Sequence, residues 1–254
     1  MAAVVAFGAA QGWAAKPYPD TGSRTTVMLN GQAVNGWFLC DAVDAPVIYA
    51  VTAVNPPGTA TVAAFSKLAS GAPLTRKLKV GAADPGAGQI YYGLNQGRTQ
   101  VGNIHAINPA MLDDPPAALT PPFTSMTLDR RTVQCRWSTG VRLLGFDQRR
   151  TFQITQGSDG ALTYSTFDFA QAGSSRAVAL SAGQRATKPT LSIRGGVEAA
   201  TRSGSTFAFQ NDSYRYEVVV DGSTPPRVTV SHAGKTVQTE TLIAWTFAPP
   251  PAGR

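Results

Sequence analysis

A chain of 254 residues, 43% of them hydrophobic, has room for one large buried core or two small ones without a metal or many crosslinks. Charged residues are only 15%, while 25 glycines and 18 prolines supply many turn formers, a balance that points to an all-β fold with short connections. The sequence holds no fixed-period repeat, no heptads and no apolar run long enough for a membrane-spanning helix, and much of its net charge of +7 sits between Arg130 and Arg150, where six arginines face Asp147 alone.

In chain order, residues 1–15 read as an export signal. "AAVVAFGAA" (Ala2–Ala10) has signal-core length and Gly12-Trp13-Ala14 offers the small residues a signal peptidase reads, although no Lys or Arg precedes Lys16. The expected location is periplasmic or secreted. "SRTTVMLNGQAVNGWFLCDAV" predicts strand, turn, strand, turn, strand, with Asn30-Gly31 and Asn35-Gly36 as the two hairpin turns. "APVIYAVTAV" is nearly continuous in apolar residues and predicts a fully buried strand. In "LTRKLKVG", Leu78 and Val80 face in while Lys77 and Lys79 face out. "ADPGAGQ" (Ala83–Gln89) predicts a turn, and "IYYGLN" and "QVGNIHAIN" two more strands. Together these form an N-terminal β unit over 24–114. A Pro-rich crossover follows at 115–122, since proline cannot donate to a central ladder.

Residues 123–248 have the rhythm of an antiparallel meander closing into a sandwich or barrel. Its turns are "GSDG" (Gly157–Gly160), "NDS" (Asn211–Ser213), "DGSTPP" (Asp221–Pro226) and "HAGK" (His232–Lys235). A short helical excursion is expected at most at Ser174–Gly183, and a disordered tail over 249–254. The two cysteines, Cys40 and Cys135, are expected to form one disulfide in an oxidising compartment. Such a bridge would staple the two halves together and stabilise them by about 4–5 kcal/mol in the chain-entropy model.

Signatures of catalysis are sparse. There is no nucleophile elbow, no zinc-binding His pair, no acidic calcium loop and no Cys/His quartet, so neither a cofactor nor a metal is expected. His232 falls in a turn. His105 shares a strand face with Asn103, opposite Ile104 and Ala106, and with Asp168 it is the only site an enzymatic reading can name. The arginine window is the stronger lead. Period-2 alternation puts Val133, Cys135 and Trp137 on one face and Arg136 on the other. Across the "STG" turn, Arg142 and Arg149 also point outward, while Arg150 has inward parity at a strand end. Arg136, Arg142 and Arg149, with Trp137 and Arg150, therefore form the candidate binding surface, suited to carboxylate, phosphate or sulfate. The competing reading is a solvated face whose charges guard strand edges.

The stretch from Phe207 to Trp245, "FAFQNDSYRYEVVVDG…RVTVSHAGKTVQTETLIAW", is loosely similar in hairpin rhythm to the periplasmic inhibitors of c-type lysozyme, which are small β-barrels. That family's inhibitory Ser and Lys loop has no counterpart here, so no site residue is carried over. The leading expectation is an exported, non-enzymatic binding module whose partner is an anionic envelope glycan, a lipid or a protein, with no nucleic acid. The alternatives are an inhibitor of an envelope hydrolase such as a lysozyme, and an enzyme acting on a cell-wall or storage polymer.

Overall fold

The computed structural model describes residues 21–54, 58–86, 88–108, 118–169, 178–179, 185–186, 188–201, 203–222 and 224–250. The expected export signal, Asp113 and Asp114 with the start of the Pro-rich crossover (115–117), and residues 251–254 lie outside them.

Strand makes up 68% of the described residues and helix almost none, and every pairing is antiparallel. The chain opens with β1 (Arg24–Leu29), β2 (Gln32–Asp41), β3 (Val47–Thr52), β4 (Thr59–Ser66) and β5 (Leu74–Gly86). It continues with β6 (Gln89–Gln96), β7 (Thr99–Ile107), β8 (Phe123–Leu128) and β9 (Arg131–Gln134). Each of these pairs with the next. Their alternating apolar side chains make a first core that includes Phe38, Val51, Val62, Leu78, Leu94, Ile104, Met126 and Val133. The run comes round until its end meets β2. Ala42 bridges to Cys135, and the Arg136 amide donates to the Asp41 carbonyl at 2.8 Å. The Cys40–Cys135 disulfide, across 95 residues, seals this junction with a Cα–Cα distance of 4.6 Å.

The second half contains β10 (Val141–Phe146), β11 (Arg150–Gln156) and β12 (Leu162–Asp168), then a separate small hairpin of β13 (Val178–Ala179) and β14 (Arg185–Ala186). After it come β15 (Leu191–Ala200), β16 (Ser205–Asn211), β17 (Tyr214–Val220), β18 (Arg227–His232), β19 (Lys235–Thr241) and β20 (Ala244–Phe247). A second core collects Phe152, Ile154, Tyr164, Phe207, Val218 and Trp245. β20 pairs with both β1 and β10, so the first and last strands lie side by side and merge the two halves into one 18-stranded sheet, which does not close into a barrel. A third core, with Leu39, Ile48 and Phe65 from one half and Leu144, Phe146 and Phe169 from the other, fills the space between. β3, β10 and β20 face a core on each side, which is why "VIYAVT", "VRLLGF" and "AWTF" are buried almost throughout. β8 and β9 pack into the first core and Leu143 into the second, so the core changes between Cys135 and Val141.

Three local expectations need correction. Asn35-Gly36 is not a turn but lies inside β2, where Gly36 pairs with Thr25 and Thr52. The glycine serves close packing instead, because a Cβ there would stand 2.5 Å from the Thr25 methyl. "ADPGAGQ" is mostly strand. β5 runs on to Gly86, with Pro85 opposite Ile90, and the chain reverses only between Gly86 and Gln89. Within the stretch read as a short helical excursion, the described pair Val178–Ala179 is strand. The turns at Asn30-Gly31 and Ala233-Gly234 form as the sequence implies, with φ of 52° and 77°, and 49° and 77°.

Candidate functional site

The arginines from Arg136 to Arg150 fall into three environments. Arg136 does point away from Trp137 and Cys135, but that side is covered by the second half of the chain, so the outward placement is corrected. Its Nε donates to Asp41 Oδ2 at 2.6 Å and its guanidinium lies 3.4 Å from the centroid of the Phe167 ring. Lys67 closes the cluster by pairing with Asp41 Oδ1 and donating to the Ala42 carbonyl at 2.5 Å. All three charged side chains are almost wholly buried. Burial opposes ionisation of Asp41, but the Lys67 and Arg136 cations outweigh it and hold the carboxyl below its usual range. Trp137 is also buried, its Nε1 donating to the Thr120 hydroxyl and carbonyl at 3.2 and 3.3 Å.

Arg142 is likewise corrected from outward to buried, at 1% exposure. It makes a two-pronged contact with Glu198, Nη2 to Oε1 at 2.6 Å and Nη1 to Oε2 at 3.0 Å, while Nε donates to the Ala248 carbonyl at 3.0 Å. That geometry ties β10 to β15 and to the chain beyond β20. Arg149 is 60% exposed yet pairs with buried Glu240 at 2.7 Å. Arg150 takes the inward parity and pairs with Asp168 at 3.2 Å and Glu240 at 3.5 Å. Asp147 Oδ1 accepts the Arg149 and Arg150 amides at 2.7 and 2.8 Å. Burial raises the Glu240 carboxyl, the neighbouring Asp147 charge raises it further, and Arg150 and Arg149 oppose the rise. Arg136, Arg142 and Arg149 therefore do not share one outer surface. Each holds a carboxylate that joins separate strands.

His105 and Asp168 are not joined by any contact. The His105 Nδ1 lies 2.8 Å from the Thr124 hydroxyl and Nε2 3.1 Å from Gln89 Oε1, a set that satisfies a neutral ring, and partial burial lowers its pKa. Thr124 is 2% exposed, so its hydroxyl serves the ring and not a substrate.

A different constellation gathers where strand ends meet at the rim of the first half. Tyr49, Ala64 and Leu74 lie in one register row across β3, β4 and β5. Two residues on, and on the same face as Leu74, Arg76 pairs with Asp129 of the β8–β9 turn and donates to Gln96 Oε1 of β6 at 2.6 Å. Burial raises the Tyr49 phenol, while the Arg131 charge opposes that shift and the Asp129 charge adds to it. The next two residues after the Asp129 turn position, Arg130 and Arg131, are exposed and make no ion pair with a described residue. Arg98, in the β6–β7 turn, is exposed as well, and so are Lys77 and Lys79. Asp44, at the same end, accepts the Gln134 amide at 2.9 Å.

The β8–β9 turn is unusual in its residues. Asp129 and Arg130 have φ of 48° and 67°, with no glycine to relieve the left-handed conformation. The sequence reading passed over this hairpin because the customary glycine is missing, although consecutive arginines after a strand were visible. It also passed over Arg76 and Leu74, since only the three-dimensional meeting of strand ends brings Arg76 to Asp129 of the β8–β9 turn. Comparison of the chain with protein-family models, with curated proteins and with solved structures returns no match, so the functional reading rests on this geometry.

Proposed function

We propose that the protein is an exported, non-enzymatic binding module of the cell envelope or extracellular space, and that it takes an anionic partner at the rim formed by Arg76, Arg98, Arg130 and Arg131. The observation that carries this reading is the β8–β9 turn. Two non-glycine residues there occupy a strained conformation, and the second of them is an exposed arginine. Strain of this kind persists where a side chain is needed at that position. The disulfide across 95 residues supports an oxidising destination. The binding surface thus moves from Arg136 and Arg142, which serve the fold, to arginines whose guanidinium groups reach solvent.

Retention on a column of sulfated polysaccharide tests the reading. The chain is expected to bind and to elute progressively as salt screens the contact over a Debye length of about 8 Å at physiological ionic strength. Passage through the column at low salt without delay contradicts it.

A further inference from the structure

The rim carries a second kind of exposed side chain. Leu74 is 81% exposed and Leu68 70% exposed, the two most accessible large apolar residues among those described. Both belong to the same β4–β5 passage, Leu68 in the connection itself and Leu74 at the first position of β5, two residues before Arg76. Leu74 also shares a strand face with Arg76, which pairs with Asp129 next to Arg130 in the β8–β9 turn. A free glycan or an acidic peptide presents charge but little hydrocarbon, and leaves such leucines in water. A bilayer with acidic headgroups offers both halves of the complement, phosphate oxygens for guanidinium groups and acyl chain for leucine, separated along the membrane normal.

Resting on the reading of the rim as an anion-binding surface, we infer that its partner is the surface of an anionic lipid bilayer, with Leu68 and Leu74 entering the interface and Arg76, Arg130 and Arg131 meeting the headgroups. The seat is peripheral, since two leucines cannot anchor a chain irreversibly, and binding depends on both contributions.

Cosedimentation of the full chain with vesicles tests this. Binding is expected to phosphatidylglycerol-containing vesicles and not to pure phosphatidylcholine, and to weaken with salt. The Leu68→Ser/Leu74→Ser variant is expected to lose on the order of tenfold in partitioning. Arg130→Asn/Arg131→Gln loses a similar factor or more. Both variants change exposed side chains, and denaturation midpoints no lower than the parent's confirm that folding is intact. If the leucine variant binds anionic vesicles as well as the parent, lipid insertion is overturned. If anionic vesicles bind no better than neutral ones while polysaccharide retention persists, the lipid partner is overturned and the proposed function stands. Loss of both kinds of binding overturns the two together.

Discussion

Arg130 and Arg136 stand six residues apart in one charged stretch, and the fold puts them to opposite uses. Arg136 is folded into the seam between two cores, neutralised by Asp41 and covered by Phe167. Arg130 sits at a turn tip, exposed, in a backbone conformation that a glycine would adopt more easily. What separates them is the far side of the strand. Outward residues face solvent at the start of β9, and the second half of the protein covers that side only beyond its end, at Arg136. A charged window in a sequence therefore says that arginine is needed there, not whether the need is structural or functional. Burial of the partner carboxylate decides that.

The comparison is broken most forcefully at Asp41. Asp41→Asn leaves Lys67 and Arg136 buried without their counterion, and removal of one partner from such a cluster costs about 3–5 kcal/mol. Urea denaturation is expected to show that loss, whereas Arg131→Gln at the rim shifts stability by no more than about 0.5 kcal/mol. Comparable losses from the two would show that the seam and the rim do not differ as described.

Much of this contrast was beyond the reach of the sequence, for reasons that particular residues make plain. Strand alternation correctly put Cys135 and Trp137 on one side and Arg136 on the other. Alternation is local, however, and cannot say that Phe167 and Asp41 would cover the second side. "VIYAVT" was readable as buried on both faces because no polar residue interrupts it until its end, whereas "VRLLGF" was misread because the buried Arg142 looks like a solvent position. Its partner Glu198 is 56 residues away. The disulfide was legible from there being two cysteines only, and the pairing of β20 with β1 was not, because nothing local marks a last strand as the neighbour of the first.

The junction offers a second test. Cys40→Ser/Cys135→Ser is expected to cost about 2–5 kcal/mol, measured by denaturant midpoints of the oxidised chain against the variant. Anion binding by the variant at low denaturant should be retained, since the rim lies outside the bridge.

The two buried acids respond to pH with opposite signs. Asp41 is held below the ordinary carboxyl value of 3.8, so its contribution is fully present above that value and is lost as pH falls through the depressed one. Glu240 is raised above its ordinary 4.5, first by burial and then by Asp147. The fold therefore favours its protonated form, and its unfavourable contribution is absent below 4.5 and grows as pH rises through the raised value. Urea midpoints across acid pH are expected to flatten above 4.5 in Glu240→Gln and below 3.8 in Asp41→Asn. An unchanged slope in either variant contradicts the corresponding assignment.

The smallest effect is the most discriminating about purpose. Arg130→Gly relieves a left-handed non-glycine residue and is expected to stabilise the protein by about 1 kcal/mol while weakening retention on the sulfated column. Stabilisation without a change in retention would make Arg130 a strained residue with no bearing on binding.

The central claim is that arginines of the rim, and not those whose carboxylate partner is largely buried in the fold, contact the anionic partner. It is tested most directly by the salt dependence of elution for three chains: the parent, Arg130→Asn/Arg131→Gln, and Arg149→Gln, which alters an exposed arginine paired to Glu240 in the other half. The account predicts earlier elution and a shallower salt dependence for the rim variant, with Arg149→Gln indistinguishable from the parent. The reverse ranking, with Arg149→Gln eluting early and the rim variant unchanged, would contradict it.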